Sequence, residues 1–235
     1  MKTFIVNYSL IITLFAASSC VQHSNSDSNI QLKAKLPFKA FLKSKKLSID
    51  VDIPNEFETL QKGNKYANHY FGLATIFPDD WQVDRGASEY TILRSYDEQK
   101  SSTLSLIAVP FDISDSLKAE ENQRKFSESP LSVMNSSANG NYEKKLLNEL
   151  GSSTNTKLLN FKVGEELIAT TNYLKYEYEF ENKFKGYSYA FKTIGYQVIK
   201  WGVTFTFIYT APVKYFDERL ISKSLQSTNF IRNNN

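Results

Sequence analysis

Residues able to do chemistry are few in this chain and lie far apart. Among 235 residues there are two histidines, His23 and His69, and a single cysteine, Cys20. A serine nucleophile needs a base within reach and a sharp turn to present it. His69 could serve as that base, but no G-x-S-x-G turn occurs, and His69 reads as a strand-end residue. Metal ligation needs clustered imidazole, thiolate or carboxylate groups. The nearest approach is Asp79-Asp80, with Asp112 and Asp115 beyond, and an acid pair directly behind Pro78 serves first as turn chemistry. The 9 glycines are scattered singly, so no phosphate-cradling loop is present. One constellation remains, the row Glu177, Glu179 and Glu181. Spacing by two on a strand puts three carboxylates on one face. Such a row can receive a basic protein partner, or it can be solvated and paired with Lys183, Lys185 and Lys192 on the returning strand. The sequence thus offers no catalytic residue, no metal ligand and no cofactor motif, and it reads as a binding module and not as an enzyme.

Composition sets the bounds for whatever positions that row. With 41% hydrophobic residues and 14% aromatic ones, the chain has the apolar content for one ordinary core rich in sheet. Charges nearly balance, 28 Lys+Arg against 25 Asp+Glu for a net +3, and are mixed along the chain, which excludes a large nucleic-acid-binding field. A basic-aromatic stretch at 183–192 (KFKGYSYAFK) is too isolated to change that conclusion.

Residues 1–20 (MKTFIVNYSLIITLFAASSC) have the layout of a secretory signal: Lys2, an apolar run from Leu10 to Ala17, then small residues. Placed behind Ala17-Ser18-Ser19, Cys20 resembles the modified residue of a bacterial lipobox, with Ala17 where leucine is commoner. That resemblance implies cleavage after Ser19, lipidation of the Cys20 sulfur and a permanent membrane anchor. Val21 in place of aspartate after the cysteine implies the outer membrane. Signal peptide 1–19, lipidated tether 20–35 and globular domain 36–232 are the expected divisions. Six lysines between 33 and 46 are interleaved with Leu36, Phe38, Phe41 and Leu42. They suit anionic headgroups, but Pro37 breaks any helix there, and a first strand or turn with a solvated lysine face is the better reading.

Beyond the tether, residue periodicity predicts a strand over 66–77, a turn at Pro78-Asp79-Asp80, and strands over 89–96 and 103–109. Residues 114–128 predict a helix with Glu121 and Lys125 at i,i+4. Residues 132–141 predict a mobile polar loop, and 141–150 a second helix bearing Tyr142. From 156 the two-residue period returns. In 173–181, Leu174, Tyr176, Tyr178 and Phe180 alternate with charges, predicting an apolar face on the core and a charged face in solvent. Strands at 187–194 and 203–209 follow, and Pro212 is expected to open a closing helix with Phe216, Leu220, Ile221 and Leu225 on one stripe.

This order of elements resembles the PsbP-like superfamily. The likeness is carried by Phe71 to Trp81 (FGLATIFPDDW), the Tyr-rich strand and charged hairpin, Tyr209-Thr210-Ala211-Pro212, the closing helix and Ser227-Thr228-Asn229-Phe230, over about 66–231. It implies an α+β fold: a single domain with a central antiparallel β-sheet flanked by helices on both faces, an α/β/α sandwich. Trp81 would plug one end of it, and Phe230 would return the chain to the sheet. The family is mostly non-enzymatic. Its implication is a membrane-anchored envelope lipoprotein that binds a protein partner, or else a periplasmic carrier or sensor of a small apolar ligand held between the aromatic rows.

Overall fold

Alternating apolar residues in the second half of the chain build long antiparallel strands, and helices and a smaller sheet pack on them. The computed structural model describes residues 60–62, 64–68, 71–84, 91–110, 116–137, 142–144, 147, 156–184 and 187–230. Ser19, Cys20, the tether, the lysine run, His69, Asp112 and Asp115 lie outside the described residues. The strands are β1 (Leu60–Lys62), β2 (Lys65–Asn68), β3 (Leu73–Ile76), β4 (Gln82–Asp84), β5 (Thr91–Asp97) and β6 (Ser102–Pro110). After helices α1 (Ser116–Glu128) and α2 (Pro130–Ser137) come β7 (Thr156–Ile168), β8 (Thr171–Phe184), β9 (Tyr187–Lys200) and β10 (Val203–Pro212). A 3-10 turn (Val213–Tyr215), helix α3 (Glu218–Gln226) and β11 (Asn229–Phe230) close the order.

A seven-stranded antiparallel sheet runs β4-β5-β6-β10-β9-β8-β7, and a four-stranded one runs β1-β2-β3-β11. The large sheet is buried on both faces at its centre. One face carries Leu104, Leu106, Tyr196, Phe205, Phe207 and Tyr209 against Tyr66, Leu73 and Phe77 of the small sheet and Ile221 and Leu225 of α3. The other carries Leu174 against Phe126 of α1, Met134 of α2 and Tyr142, and beside it Tyr176, Tyr178, Phe180 and Phe191. The expected α+β architecture with helices on both faces is therefore what the chain forms. Among the described residues no helix is long and apolar enough to cross a membrane.

Four expectations need correction. Residues 66–77 are not one strand but the β2–β3 hairpin of the small sheet, turning at Phe71-Gly72, where Gly72 adopts φ 61°. Residues 132–141 are not wholly loop, because α2 occupies Pro130–Ser137. A proline at the first helical position has its φ preset, and burial of Met134 with packing of Leu131 and Val133 outweighs the serines' preference for turns. Pro212 ends β10 and leads only into the 3-10 turn; the helix starts at Glu218, capped by Asp217, whose side chain accepts from the Arg219 N–H. Finally, the charged side of β8 is no solvent face: Lys175, Glu177, Glu179 and Glu181 share the face of Tyr173 and Tyr196, and they are half-buried.

One turn and one mid-strand glycine show why register is unambiguous. Trp201-Gly202 joins β9 to β10 with both φ values positive, 47° and 75°, the two-residue geometry whose twist matches paired strands. On β9, Gly195 sits opposite Tyr176, and a Cβ there would fall inside the Tyr176 ring. Among the described residues the buried Tyr176 hydroxyl has no partner, and burial with Tyr178 and Tyr142 nearby pushes its pKa well up. Gly195→Ala should destabilise the fold by about 1–3 kcal/mol, since the strand is pinned between β8 and β10 and cannot recede. Tyr176→Phe should be neutral or stabilise by up to about 1 kcal/mol, because it removes only an unpaired hydroxyl. Urea unfolding of the two variants checks both signs.

Candidate functional site

On the α3 side of the large sheet, where β10 ends, the covering layers stop short and leave a cleft of about 410 Å³. Its walls are Phe77, Trp81, Tyr209 and Tyr215, its rim carries Asp79, Asp217, Lys100 and Lys223, and Ser102 and Ser224 line it as well. Each wall follows from local sequence. Pro78 and Asp79 turn the chain out of β3, with Asp80 in the left-handed region at φ 63°, so that Trp81 folds back to 6.3 Å from the Tyr209 ring. The expected plug at one end of the sandwich is thus a half-buried cleft wall. The acid pair does serve as turn chemistry: Asp79 accepts from the Asn64 amide and lies 3.5 Å from Lys223 Nζ.

Electrostatically the cleft is made of committed pairs. Asp217 accepts from Arg219 Nε and Nη2, both at 2.8 Å. Those bonds from Arg219 hold its carboxyl below the ordinary aspartate range. Lys100 pairs with Asp97 at 3.2 Å. Burial raises the pKa of Tyr209, whose hydroxyl accepts from the Asp217 N–H at 3.3 Å. Carboxylates held by cations, beside tyrosine rings, can recognise polar and aromatic groups.

The predicted acid row lies on the same surface. Glu177 reaches Lys162 at 3.5 Å and Lys192 at 3.7 Å. Lys192 is the partner expected from the returning strand; Lys162 on β7 was not anticipated, and Lys185 and the Lys183 side chain lie outside the described residues. Lys192 Nζ sits 4.9 Å over the Phe216 ring, and Phe216 packs 4.9 Å from Tyr209. An unbroken run of contacts therefore joins Glu177 to the cleft wall, with Glu179 and Glu181 continuing it along β8.

A third cluster has no warning in the sequence. Lys175 Nζ donates to Glu166 at 2.7 Å and to Glu218 at 2.9 Å, over the ring of Tyr196, whose hydroxyl also donates to Glu166 at 3.1 Å. Burial opposes the charge on Lys175, but the bonds from Glu166 and Glu218 prevail and its pKa rises. These groups come from β7, β8, β9 and α3, so only the folded chain unites them. Among the described residues no three His, Cys, Asp or Glu side chains stand together in a metal-holding arrangement.

Two stability tests follow. Lys175→Met should cost about 1–2 kcal/mol at pH 7 by leaving two carboxylates unpaired, discounted from a buried pair because all three groups are partly exposed. A lysine whose folded pKa is raised contributes fully below the unfolded value, about 10.4, and loses that contribution as pH climbs through the folded value. The gap between wild type and variant should therefore begin to narrow by pH 11. Asp217→Ala should cost about 1 kcal/mol through the lost cap. Its carboxyl pKa is depressed, so that cost holds above about pH 4 and fades as the pH falls through the folded value. Denaturation at pH 3, 7 and 11 reads both.

No protein-family model matches the chain, and no curated protein matches it. Solved structures to which it is similar include a protein from Bacteroides thetaiotaomicron, at 11% identity and TM-score 0.42, over 74% of this chain and 50% of that one; the cyanobacterial PsbP (CyanoP) of Synechocystis, at 15% identity and TM-score 0.40, over 73% of this chain and 95% of that one; and LpqN of Mycobacterium tuberculosis, described as involved in cell envelope biogenesis, at 12% identity and TM-score 0.39, over 73% of this chain and 87% of that one. The chain spans half the length of the Bacteroides protein.

Proposed function

We propose that this chain is a lipid-anchored accessory module of the bacterial cell envelope, held at the outer membrane through Cys20, that binds a protein partner without catalysing a reaction. The observation that carries the reading is the continuous surface from Glu181 and Glu177 through Lys192 and Phe216 to the Trp81–Tyr209 cleft. Half-buried acids, a cation over an aromatic ring and an aromatic-walled hollow suit docking of a polar chain that inserts one side chain. The anchor rests on the placement of Cys20 behind the apolar run and small residues. The rival reading, an apolar ligand between sheet and helices, is disfavoured because that space is filled: Phe126, Tyr196, Phe205 and Phe207 are each at 0% exposure.

Metabolic labelling with a fatty-acid probe should tag the wild type, and Cys20→Ala should lose both the tag and membrane fractionation. A tag that survives in Cys20→Ala, or one never incorporated, defeats the anchor. Crosslinking in the intact envelope should capture one stoichiometric protein, and Glu177→Lys with Trp81→Ala should reduce its yield at least tenfold. A co-purifying small molecule in native mass spectrometry of the full chain would transfer the reading to a carrier.

A further inference from the structure

Strand β7 is the outermost strand of the large sheet, paired with β8 on one side and with no described strand on the other. It is 13 residues long, whereas β4 at the opposite edge has only 3. A long bare edge offers a row of unpaired N–H and C=O groups to another strand, so its side chains decide whether pairing is blocked or invited. In an antiparallel pair, residues directly opposite point to the same face. Two copies related by a two-fold axis normal to the sheet can therefore meet only with some residue of β7 opposite its own copy. Centring on Lys162 puts like charges face to face, and so does centring on Glu165 or Glu166. Centring on Val163 sets Phe161 against Glu165 and leaves Lys162 opposite Gly164.

Centring on Gly164 does something different. Lys162 falls opposite Glu166, twice by symmetry, and both belong to the face of Lys175. Phe161 falls opposite Leu167 on the other face, which would cover a leucine now 70% exposed. Val163 falls opposite Glu165, whose carboxylate is turned away to accept from Ser129 and Leu131 at the start of α2. Gly164 itself has nothing within 4 Å of where a Cβ would stand, so the axis is unobstructed on that side. The ladder would run from Asn160 to Ile168, which is the stretch between the β7 irregularity at Leu158/Asn160 and the end of the strand.

We infer that β7 is a self-complementary edge through which two copies of this chain pair antiparallel about Gly164, joining their seven-stranded sheets into one. The inference does not depend on the anchor or on the cleft. Cysteine crosslinking of the full chain in cells tests it, in Cys20 and Cys20→Ala backgrounds, since Cys20 is the only native thiol. Under mild oxidation Gly164→Cys should form a disulfide-linked species of twice the chain mass, and Tyr187→Cys, on the exposed β8–β9 hairpin, should not. Lys162→Cys should link to Glu166→Cys when the two are co-expressed and not to itself. Adding Lys162→Glu to Gly164→Cys should lower the yield at least tenfold, by facing two glutamates across each pair. Sedimentation of the purified full chain in detergent should give a dimer that Lys162→Glu converts to monomer. A monomer at every concentration up to about 100 μM, or equal crosslinking at Tyr187→Cys, overturns the inference. So does an adduct of Gly164→Cys with a protein of another mass, which would give this edge to a foreign strand.

Discussion

The structure depends on one mismatch of length: strands that outrun the described elements packed on them. β8 and β9 have 14 residues each and β7 has 13, whereas β10 has 10 and β6 has 9. At about 3.3 Å per residue a 14-residue strand spans about 46 Å, while a 13-residue helix at 1.5 Å per residue spans about 20 Å. The sheet is therefore buried on two faces where α1, α2, α3 and the small sheet reach it, and its residues must change character where they do not. β9 records that change along its length, exposed from Tyr187 to Ala190 and almost wholly buried from Phe191 to Val198. The aromatic hairpin tip lies beyond the described cover and the cleft and half-buried acid row lie at its margin, so the surface available for recognition is a by-product of strand length.

Within the covered part, stability comes from aromatic packing. Phe205, Phe207, Tyr209 and Tyr196 lie fully buried on one face, and burial of each such side chain contributes about 1.5–3 kcal/mol before entropy is counted. Their rings meet neighbours at tilted or edge-on angles, as in Tyr173 against Tyr196 at 89° and Phe71 against Phe205 at 86°. Tyrosine brings a hydroxyl that must be placed. Tyr196 and Tyr209 aim theirs at the polar boundary of the core, whereas Tyr178 keeps its own inside, where burial pushes its pKa up to about 12 despite a bond with Thr193.

Much of this was legible from residue order. Strict alternation in β8 marked the strand, the i,i+4 pair Glu121–Lys125 closed at 2.6 Å as its spacing required, and Phe230 returned to within 5.3 Å of Phe205. Failure came where a local pattern has two meanings. Alternation along 173–181 fits a half-solvated strand equally well as one buried on both faces whose charges find partners, and only Tyr173 next to Leu174, both buried, separates the two. A run of Ser, Asn and small apolar residues signals loop until a neighbour such as β8 offers Met134 a place to bury. The Lys175 cluster and the cleft draw on residues dozens of positions apart, which no spacing rule connects.

The smallest strand has a consequence for how the protein is made. β11 is two residues long, yet Asn229 and Phe230 pair with Ala74 and Leu73 and complete the small sheet. Around that junction Thr75 Oγ1 donates to the Ser224 carbonyl at 2.9 Å, and the Ile76 N–H donates to Ser227 Oγ at 3.1 Å. Sequence separations near 150 residues make these among the slowest contacts for a nascent polypeptide to find. Until synthesis has passed residue 230, Leu73 and Phe77 lack their final covering, so a partly made chain stays open.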